Sequence, residues 1–480
     1  MALTLNRRAL RAMLPLLLGA MALDAAAAPA PARVQAWITT GDRHQLLAHG
    51  ADAAFGAARP QGIVIEVDPA TRYQEMAGFG AAITDASAWL IQNRLDAPRR
   101  AALMQELFGR EAGGIGLSFT RLTIGASDFS TEHYSFDDMP AGETDPDLAH
   151  FSIEPNRAAV LPTVKAALAI NPQLRVMASP WSAPGWMKTT DSLIQGSLKP
   201  QAFAAFAQYL SRYVTAYRDE GVPIFALTLQ NEPHFEPGDY PGMRVEPARR
   251  AAFIKGYLGP VLEKQNPGTL IFDWDHNWDH PESPLAVLAD PDAARYVSAV
   301  AWHCYAGDVK AQARVHDAYP GKDAWFTECS GGQWSPKFDH NLQYFTRTLI
   351  IGTTRGWARG VSLWNLALDE NHGPHKGGCG DCRGVVTIDS KTGEVTRNAE
   401  YYALAHASRF VRPGARRIAS TSGSGGLDTV AFRNTDGAIA LLVANPAGTP
   451  RAFSVRTAGR SFGYTLPAGS VATFTWNEAP

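Results

Sequence analysis

The sequence predicts an α/β fold: a (β/α)8 TIM barrel with a side antiparallel β-sandwich built from the N-terminal and C-terminal segments. Three observations predict it. Between about residue 73 and residue 411, short β-prone runs alternate with helix-like segments, the pattern of repeated βα units around a parallel sheet. After Arg412-Pro413-Gly414 the pattern changes to short β-prone runs split by Gly, Pro, Asn and Ser. Two of the earlier runs end in a glutamate, Glu232 and Glu328. A carboxylate at the end of a buried strand is costly to desolvate unless it opens on a polar cleft, and the carboxyl ends of barrel strands form such a cleft.

From the N-terminus, Arg7, Arg8 and Arg11 precede an apolar run from Met13 to Leu23 and the Ala-rich stretch Ala25 to Ala30. This is the pattern of an export leader over residues 1–28, cleaved near Ala27 to Ala30, and it places the protein in the periplasm or outside the cell. The run is too short to cross a bilayer, which takes about 20 residues, so no stable membrane insertion is expected. Residues 29–72 hold strand-like pieces, notably Ile63 to Val67, expected to join the C-terminal sheet.

Barrel strands are expected at Met76 to Phe79, Phe119 to Ile124, Leu174 to Ala178, Ile224 to Gln230, Leu270 to Trp274, Val297 to Trp302, Ala324 to Thr327 and Gly360 to Trp364. Apolar residues at helical spacing mark Arg99 to Phe108, Gln201 to Tyr217, Ala248 to Leu262 and Leu342 to Ile351 as outer helices. The catalytic barrel is thus assigned to 73–411 and the sandwich to 412–480, with strands at Thr429 to Phe432, Ala438 to Val443, Phe453 to Val455 and Val471 to Trp476.

A formal net charge of -2, with no long run of one sign, gives no electrostatic basis for a nucleic-acid partner. Twelve tryptophans suit the flat faces of sugar rings, although buried core is the commoner reason for one. The oligomeric state is not legible. In an oxidising compartment the four cysteines can pair. Cys379-Gly-Asp-Cys382 reads as a local disulfide, with a metal site from His372, His375, Cys379 and Cys382 as the alternative. Cys304 and Cys329 read most simply as buried thiols, pairing between neighbouring strand ends being the other reading.

Breaking a glycosidic bond needs one protonated carboxyl for the leaving oxygen and one ionised carboxylate at the anomeric carbon. Glu232 and Glu328 close the fourth and seventh strands of one barrel, so both face the same cleft. Carboxyls about 5 to 5.5 Å apart imply retention and about 6.5 to 9.5 Å inversion, and the shorter spacing is expected here. At that range the charge on Glu328 should raise the pKa of Glu232 and keep it protonated, until esterification of Glu328 removes that charge. The chemistry requires no cofactor, and no metal is assigned.

Gly78-Phe79-Gly80-Ala81-Ala82-Ile83-Thr84-Asp85, the run from Ala178 to Lys188, Leu229-Gln230-Asn231-Glu232-Pro233, Glu328-Cys329 and Trp364-Asn365-Leu366-Ala367-Leu368 together resemble glycoside hydrolase family 30, in its glucosylceramidase-like branch. The resemblance spans nearly the whole chain after the leader, in order. It implies Glu232 as acid/base and Glu328 as nucleophile of a retaining mechanism, and Asn231 on the hydroxyl beside the anomeric carbon. It further implies Asp85 and Trp181 on the outer hydroxyls, Trp364 beneath the ring, His303 and Tyr305 beside the nucleophile, and Arg121 and Asp128 as supports one layer back. Cys304, where glucosylceramidase has an aromatic residue, and the loop Gly377 to Gly384 depart from that branch.

Blander readings stand beside these. Asp85 can instead cap the helix starting near Ala86, Trp181 and Trp364 can be core, and His303 can be merely hydrogen-bonded. Asp275, His276, His280, Asp369 and Glu370 cluster near the later loops and read by default as solvated loop charge, binding of substrate or metal being the other reading. The function expected is a retaining β-glycosidase acting on β-glucosides, glucans or a glycolipid such as glucosylceramide. A β-1,6-glucanase or β-xylosidase with the same site, or a noncatalytic carbohydrate-binding protein, are the alternatives.

Overall fold

A computed structural model describes residues 33–56, 62–111 and 113–477, so the leader expected over 1–28 lies outside the described residues. Eight parallel strands close a barrel in sequence order: β1 (Gly78–Ala82), β2 (Phe119–Ile124), β3 (Arg175–Pro180), β4 (Ile224–Thr228), β5 (Leu270–Asn277), β6 (Val297–His303), β7 (Asp323–Glu328) and β8 (Ala358–Asn365). Each expected strand falls on one of them. Two strands continue three residues beyond their expected ends, β1 to Ala82 rather than Phe79 and β5 to Asn277 rather than Trp274.

The outer helices follow their apolar spacing. Phe203–Asp219 buries Phe206, Leu210, Tyr213, Val214 and Tyr217 on one face. In Ala97–Phe108, the Asp96 side chain accepts from the Arg99 amide and Pro98 occupies the first turn, which satisfies a donor the helix leaves open. The helices over Pro247–Gln265 and Phe338–Arg355 each pass through a π-helical stretch, at Ile254–Leu258 and Phe345–Gly352.

The first and last described segments meet in one curled sheet of ten strands. Arg33–Thr40 pairs antiparallel with Ser470–Asn477, and Ile63–Glu75 with Arg416–Ser420. One pair departs from the expected antiparallel pattern: residues 63–66 run parallel to residues 453–456, because the long strand Ile63–Glu75 divides its length between two neighbours. The sheet closes over its own apolar cluster, including Val34, Ile65, Leu441 and Phe474. Among the described residues no helix is long and apolar enough to cross a membrane.

The barrel interior is layered by strand alternation. Phe119, Met177, Ala226, Ala301 and Trp325 form an apolar plug together with Phe272 and Ala299. Each buried ring of this kind contributes about 1.5–3 kcal/mol. Two residues further along the same strands, on the same face, stand Arg121, Ser179, Thr228, His303 and Thr327. An apolar plug thus supports a polar floor. On β5 the alternation is broken: Trp274 and Asp275 take left-handed backbone angles, φ 77° and 53°. Asp275 rather than Trp274 therefore joins the polar floor.

Candidate active site

Asp275 is the hub of that floor. Its Oδ2 accepts from Arg121 Nη2 at 2.7 Å, Ser179 Oγ at 2.7 Å and Thr228 Oγ1 at 2.9 Å. Its Oδ1 accepts from Thr327 Oγ1 at 2.7 Å and faces His303 Nε2 at 3.0 Å. Burial alone would raise this carboxyl, but Arg121 and His303 outweigh it and hold Asp275 far below its ordinary value. Asp275 is therefore a fixed negative charge beneath the cleft. The expectation that Asp275 and His276 are solvated loop charge is corrected: both are buried, because β5 runs on through them. His280, hydrogen-bonded to Glu282, and Glu370, bonded to Ser390, do lie in exposed loops.

Arg121 carries the opposite charge. Fully buried, it places Nη1 2.5 Å from Glu328 Oε2, and Nη2 also meets Asn231 Oδ1 at 2.7 Å. Its guanidinium lies 4.7 Å from the Trp181 ring and 5.6 Å from the Trp364 ring, and those two rings stack at 4.9 Å. Both tryptophans line the cavity, so they are at once packed and facing the cleft.

Glu328, the last residue of β7, also accepts from Tyr305 OH at 3.0 Å. Burial pushes its carboxyl above the ordinary value; His303 and Arg121 oppose this, and Glu232 adds to it. Glu232 follows β4 in a left-handed conformation, φ 47°, with its amide on the Asp275 carbonyl at 3.0 Å. The Asn231 amide is anchored on the Pro180 carbonyl at 2.8 Å, so this turn is tied to both neighbouring strands. Glu232 Oε1 lies 3.1 Å from His303 Nδ1 and 3.4 Å from His276 Nδ1. Burial would raise Glu232, but the two imidazoles outweigh it and bring the carboxyl below its ordinary value.

His303 is pushed the other way, to about 9, because Glu328, Asp275 and Glu232 outweigh the effect of burial. The expected division, with Glu232 kept protonated by the charge on Glu328, is therefore corrected. In the free site the proton of the Glu232–His303 pair resides on the imidazole, since that ring touches two carboxylates. His303 Nδ1 also lies 4.0 Å from Glu328 Oε1. That bounds the Glu232–Glu328 oxygen separation at 7.1 Å, short of the upper part of the inverting range.

The cavity over the two glutamates has a volume of about 720 Å³ and is lined by Asp128, Trp181, Asn231, Tyr240, His276, Tyr305 and Trp364, among others. Asp128 was expected one layer back but faces this cavity. Burial, with the charges of Glu328 and Glu232, raises its carboxyl well above the ordinary value. Asp85 does not line the cavity. Its Oδ2 accepts from Ser130 at 2.6 Å and Tyr134 at 2.8 Å, and burial lifts it to about 6 against those bonds. Nor is it the cap, since Thr84 receives the Ser87 amide.

Both cysteine pairs are disulfides. Cys379–Cys382 forms as read, with His372 facing the Cys382 carbonyl and His375 that of Gly377, so the four-ligand metal alternative is not formed. Cys304 and Cys329 are joined rather than free thiols. The reason is register: His303 pairs with Glu328 across β6 and β7, so the next residues on each strand are neighbours, with Cα atoms 5.4 Å apart. Residues the sequence reading did not single out include Ser179, Thr228 and Thr327 on the hub, and Phe235, Tyr240 and Trp334 on the cavity wall. Strand parity after the apolar plug could have found the first three.

Comparison with known proteins agrees with this geometry. The family model for the glycosyl hydrolase family 30 TIM-barrel domain matches residues 76–411, and that for the family's β-sandwich domain matches residues 414–474. An endo-1,6-β-D-glucanase of Trichoderma harzianum, BGN16.3, is 36% identical over 424 residues, covering 84% of each chain. Mouse lysosomal acid glucosylceramidase is 28% identical over 451 residues, covering 87% of this chain and 84% of its own. The solved endo-β1,6-glucanase BT3312 superimposes with a TM-score of 0.85 at 32% identity, over 93% of this chain and 99% of its own. With a matching barrel, a matching sheet domain and two glutamates at one cavity, the chain belongs to glycosyl hydrolase family 30, as a retaining β-glycosidase.

Proposed function

We propose that this protein is an exported endo-acting β-1,6-glucanase in which Glu328 is the nucleophile and Glu232 the acid/base. The observation that carries the roles is the unlike surroundings of the two carboxylates. Glu328 faces a guanidinium that does not lose its proton, which suits a nucleophile that must be ionised. Glu232 faces an imidazole that holds a proton up to about pH 9, which suits a group that must gain and release one.

In the first step an oxygen of Glu328 bonds to the anomeric carbon as the bond to the leaving oxygen breaks. The proton held between His303 and Glu232 goes to that oxygen. Glu328 is now an ester and carries no charge. In the second step water attacks the same carbon, Glu232 takes the water's proton, and Glu328 leaves as carboxylate. Asn231, held by Arg121, is placed for the hydroxyl next to the anomeric carbon, where a hydrogen bond strengthens as charge develops.

Substrate class is read from the cavity wall and the relatives together. Trp334 (56% exposed), Phe235 (46%) and Tyr305 (45%) stand on the wall beyond the catalytic pair, offering flat faces to further sugar rings of a polymer. The 36% identical relative and the 32% identical solved structure are both named as β-1,6-glucanases, which supports that linkage over glucosylceramide. Export is supported by the N-terminal sequence pattern and by two disulfides.

The test is product size from β-1,6-glucan, β-1,3-glucan, aryl β-glucoside, aryl β-xyloside and glucosylceramide, with a 2-deoxy-2-fluoro-β-glucoside as trap. Short oligosaccharides from β-1,6-glucan and a labelled peptide carrying Glu328 are expected. Release of glucose alone from chain ends, or a label on another residue, overturns the reading.

A further inference from the structure

We propose that Glu232, His276 and His303 also form a binding site for a divalent transition cation of the zinc type, and that a cation held there inhibits the enzyme reversibly. The three ligand atoms, Glu232 Oε1, His276 Nδ1 and His303 Nδ1, all lie within 4.8 Å of one another. Two of the three edges of this triangle are 3.1 Å and 3.4 Å. Zinc bonds of 2.0–2.1 Å at tetrahedral angles separate ligand atoms by about 3.4 Å, so those edges already fit a shared ion.

His276 supplies the observation that points to a ligand. Its residue is 8% exposed, and its Nδ1 is buried without a hydrogen-bond partner while facing the Glu232 carboxylate. Glu232 Oε1, at 3.4 Å, is too poorly placed for a hydrogen bond, which nearly all buried polar atoms have. Binding releases the proton from His303 Nδ1 to solvent, and the ring is then held in the way metal-bound imidazoles are. Its far nitrogen, Nε2, lies 3.0 Å from the Asp275 carboxylate, which fixes the ring and directs Nδ1 at Glu232.

Two imidazoles and one carboxylate are a familiar zinc ligand set, and the fourth position opens on the cavity, where water or a substrate hydroxyl completes the tetrahedron. The carboxylate of Glu232, which the ion would touch directly, favours a dication. An ion in this place ties up the carboxylate that the reaction needs for proton transfer and stands where the leaving sugar must sit. Inhibition is therefore competitive with substrate. The ion has no role in turnover.

The site is tested with zinc chloride on the full enzyme, stripped with EDTA, in a non-coordinating buffer. Calorimetry is expected to give one zinc per chain, and kinetics a rise in KM with kcat held, reversed by EDTA. His276→Gln should weaken both zinc binding and inhibition by about 10-fold or more. His280→Ala, at the exposed His280–Glu282 pair, should leave both unchanged. Glu232→Gln, read by calorimetry alone, keeps the test open if the His276 variant does not fold, and it too should lose affinity. Equal zinc affinity in His276→Gln or Glu232→Gln and the parent, inhibition that saturating substrate does not relieve, or no effect of millimolar zinc overturns the proposal. The binding readout is independent of which glucan the enzyme prefers.

Discussion

Glu328 meets a guanidinium and a phenol, whereas Glu232, at the same cavity, meets two imidazoles. The two carboxyls are similarly buried and are displaced in opposite directions, Glu328 upward and Glu232 downward. Burial acts alike on both, so the partners make the difference. A guanidinium offers a constant charge, and an imidazole offers a proton that can leave. The barrel thus gives one side of its mouth a fixed electrostatic setting and the other an exchangeable one. Asp275 joins the two sides, bonding Arg121 through one oxygen and His303 through the other.

The largest expected effect comes from exchanging charge for amide on each side. Glu328→Gln should lower kcat by about 10⁴-fold or more, since no other group can form the ester. Glu232→Gln should cost about 10² to 10⁴-fold on a glucan, and much less on an aryl glucoside whose phenolate leaves without a proton. Steady-state rates on both substrates check this. If the two variants lose activity equally on the aryl glucoside, the division of labour is wrong.

Arg121→Gln tests the fixed side. Glu328 already lies above its ordinary value through burial, and loss of the opposing cation raises it further. The reaction needs Glu328 ionised, so the acid limb of kcat/KM should move up by about 1–3 pH units. Removing one member of a buried ion pair should also lower the unfolding free energy by about 3–5 kcal/mol, measurable in denaturant. An acid limb that stays in place would show that Arg121 only holds the fold.

How far the sequence reached follows the same divide. The glutamates were legible because each ends an apolar run, and the barrel because those runs recur with helices between them. Arg121 on β2 was legible only through the family resemblance. Asp275 was not legible, because strand alternation points Trp274 inward, and the two left-handed residues that reverse this carry no glycine to announce them. Asp128 and Asp85 were ranked in the wrong order for a related reason: both follow strands closely, and which one faces the cavity depends on loop paths that have no periodicity. The proton on His303 was missed because it depends on three carboxylates from three strands.

His303→Asn addresses the exchangeable side. In the parent the Glu232–His303 pair keeps its proton until the pH approaches about 9, because the surrounding carboxylates stabilise the imidazolium. Acid catalysis is then available below that pH and lost above it. Without the imidazole, Glu232 must hold the proton alone, and a carboxyl releases it at lower pH. The alkaline limb should move downward while the acid limb, governed by Glu328, moves much less. A pH profile in which both limbs shift together would mean that the two sides titrate as one unit.

The smallest effects concern the two disulfides, which sit on different parts of the mouth. Cys304–Cys329 joins the residue after His303 to the residue after Glu328, and so ties the exchangeable side to the fixed one. It closes a loop with a sequence separation of 25, for which chain entropy gives about 3.5 kcal/mol of stability. Cys379–Cys382, with a separation of 3, gives about 2 kcal/mol and lies in the loop Gly377 to Gly384, on the cavity wall. The double variant Cys304→Ala/Cys329→Ala should therefore lose more stability and also lower kcat, since the Tyr305–Glu328 hydrogen bond is next to the cross-link. Cys379→Ala/Cys382→Ala should leave kcat on an aryl glucoside unchanged and alter only KM for the polymer. Denaturant melts and separate kcat and KM values distinguish these outcomes, and equal kcat in the two double variants would show that the inner cross-link holds strands together without setting the geometry of the glutamates.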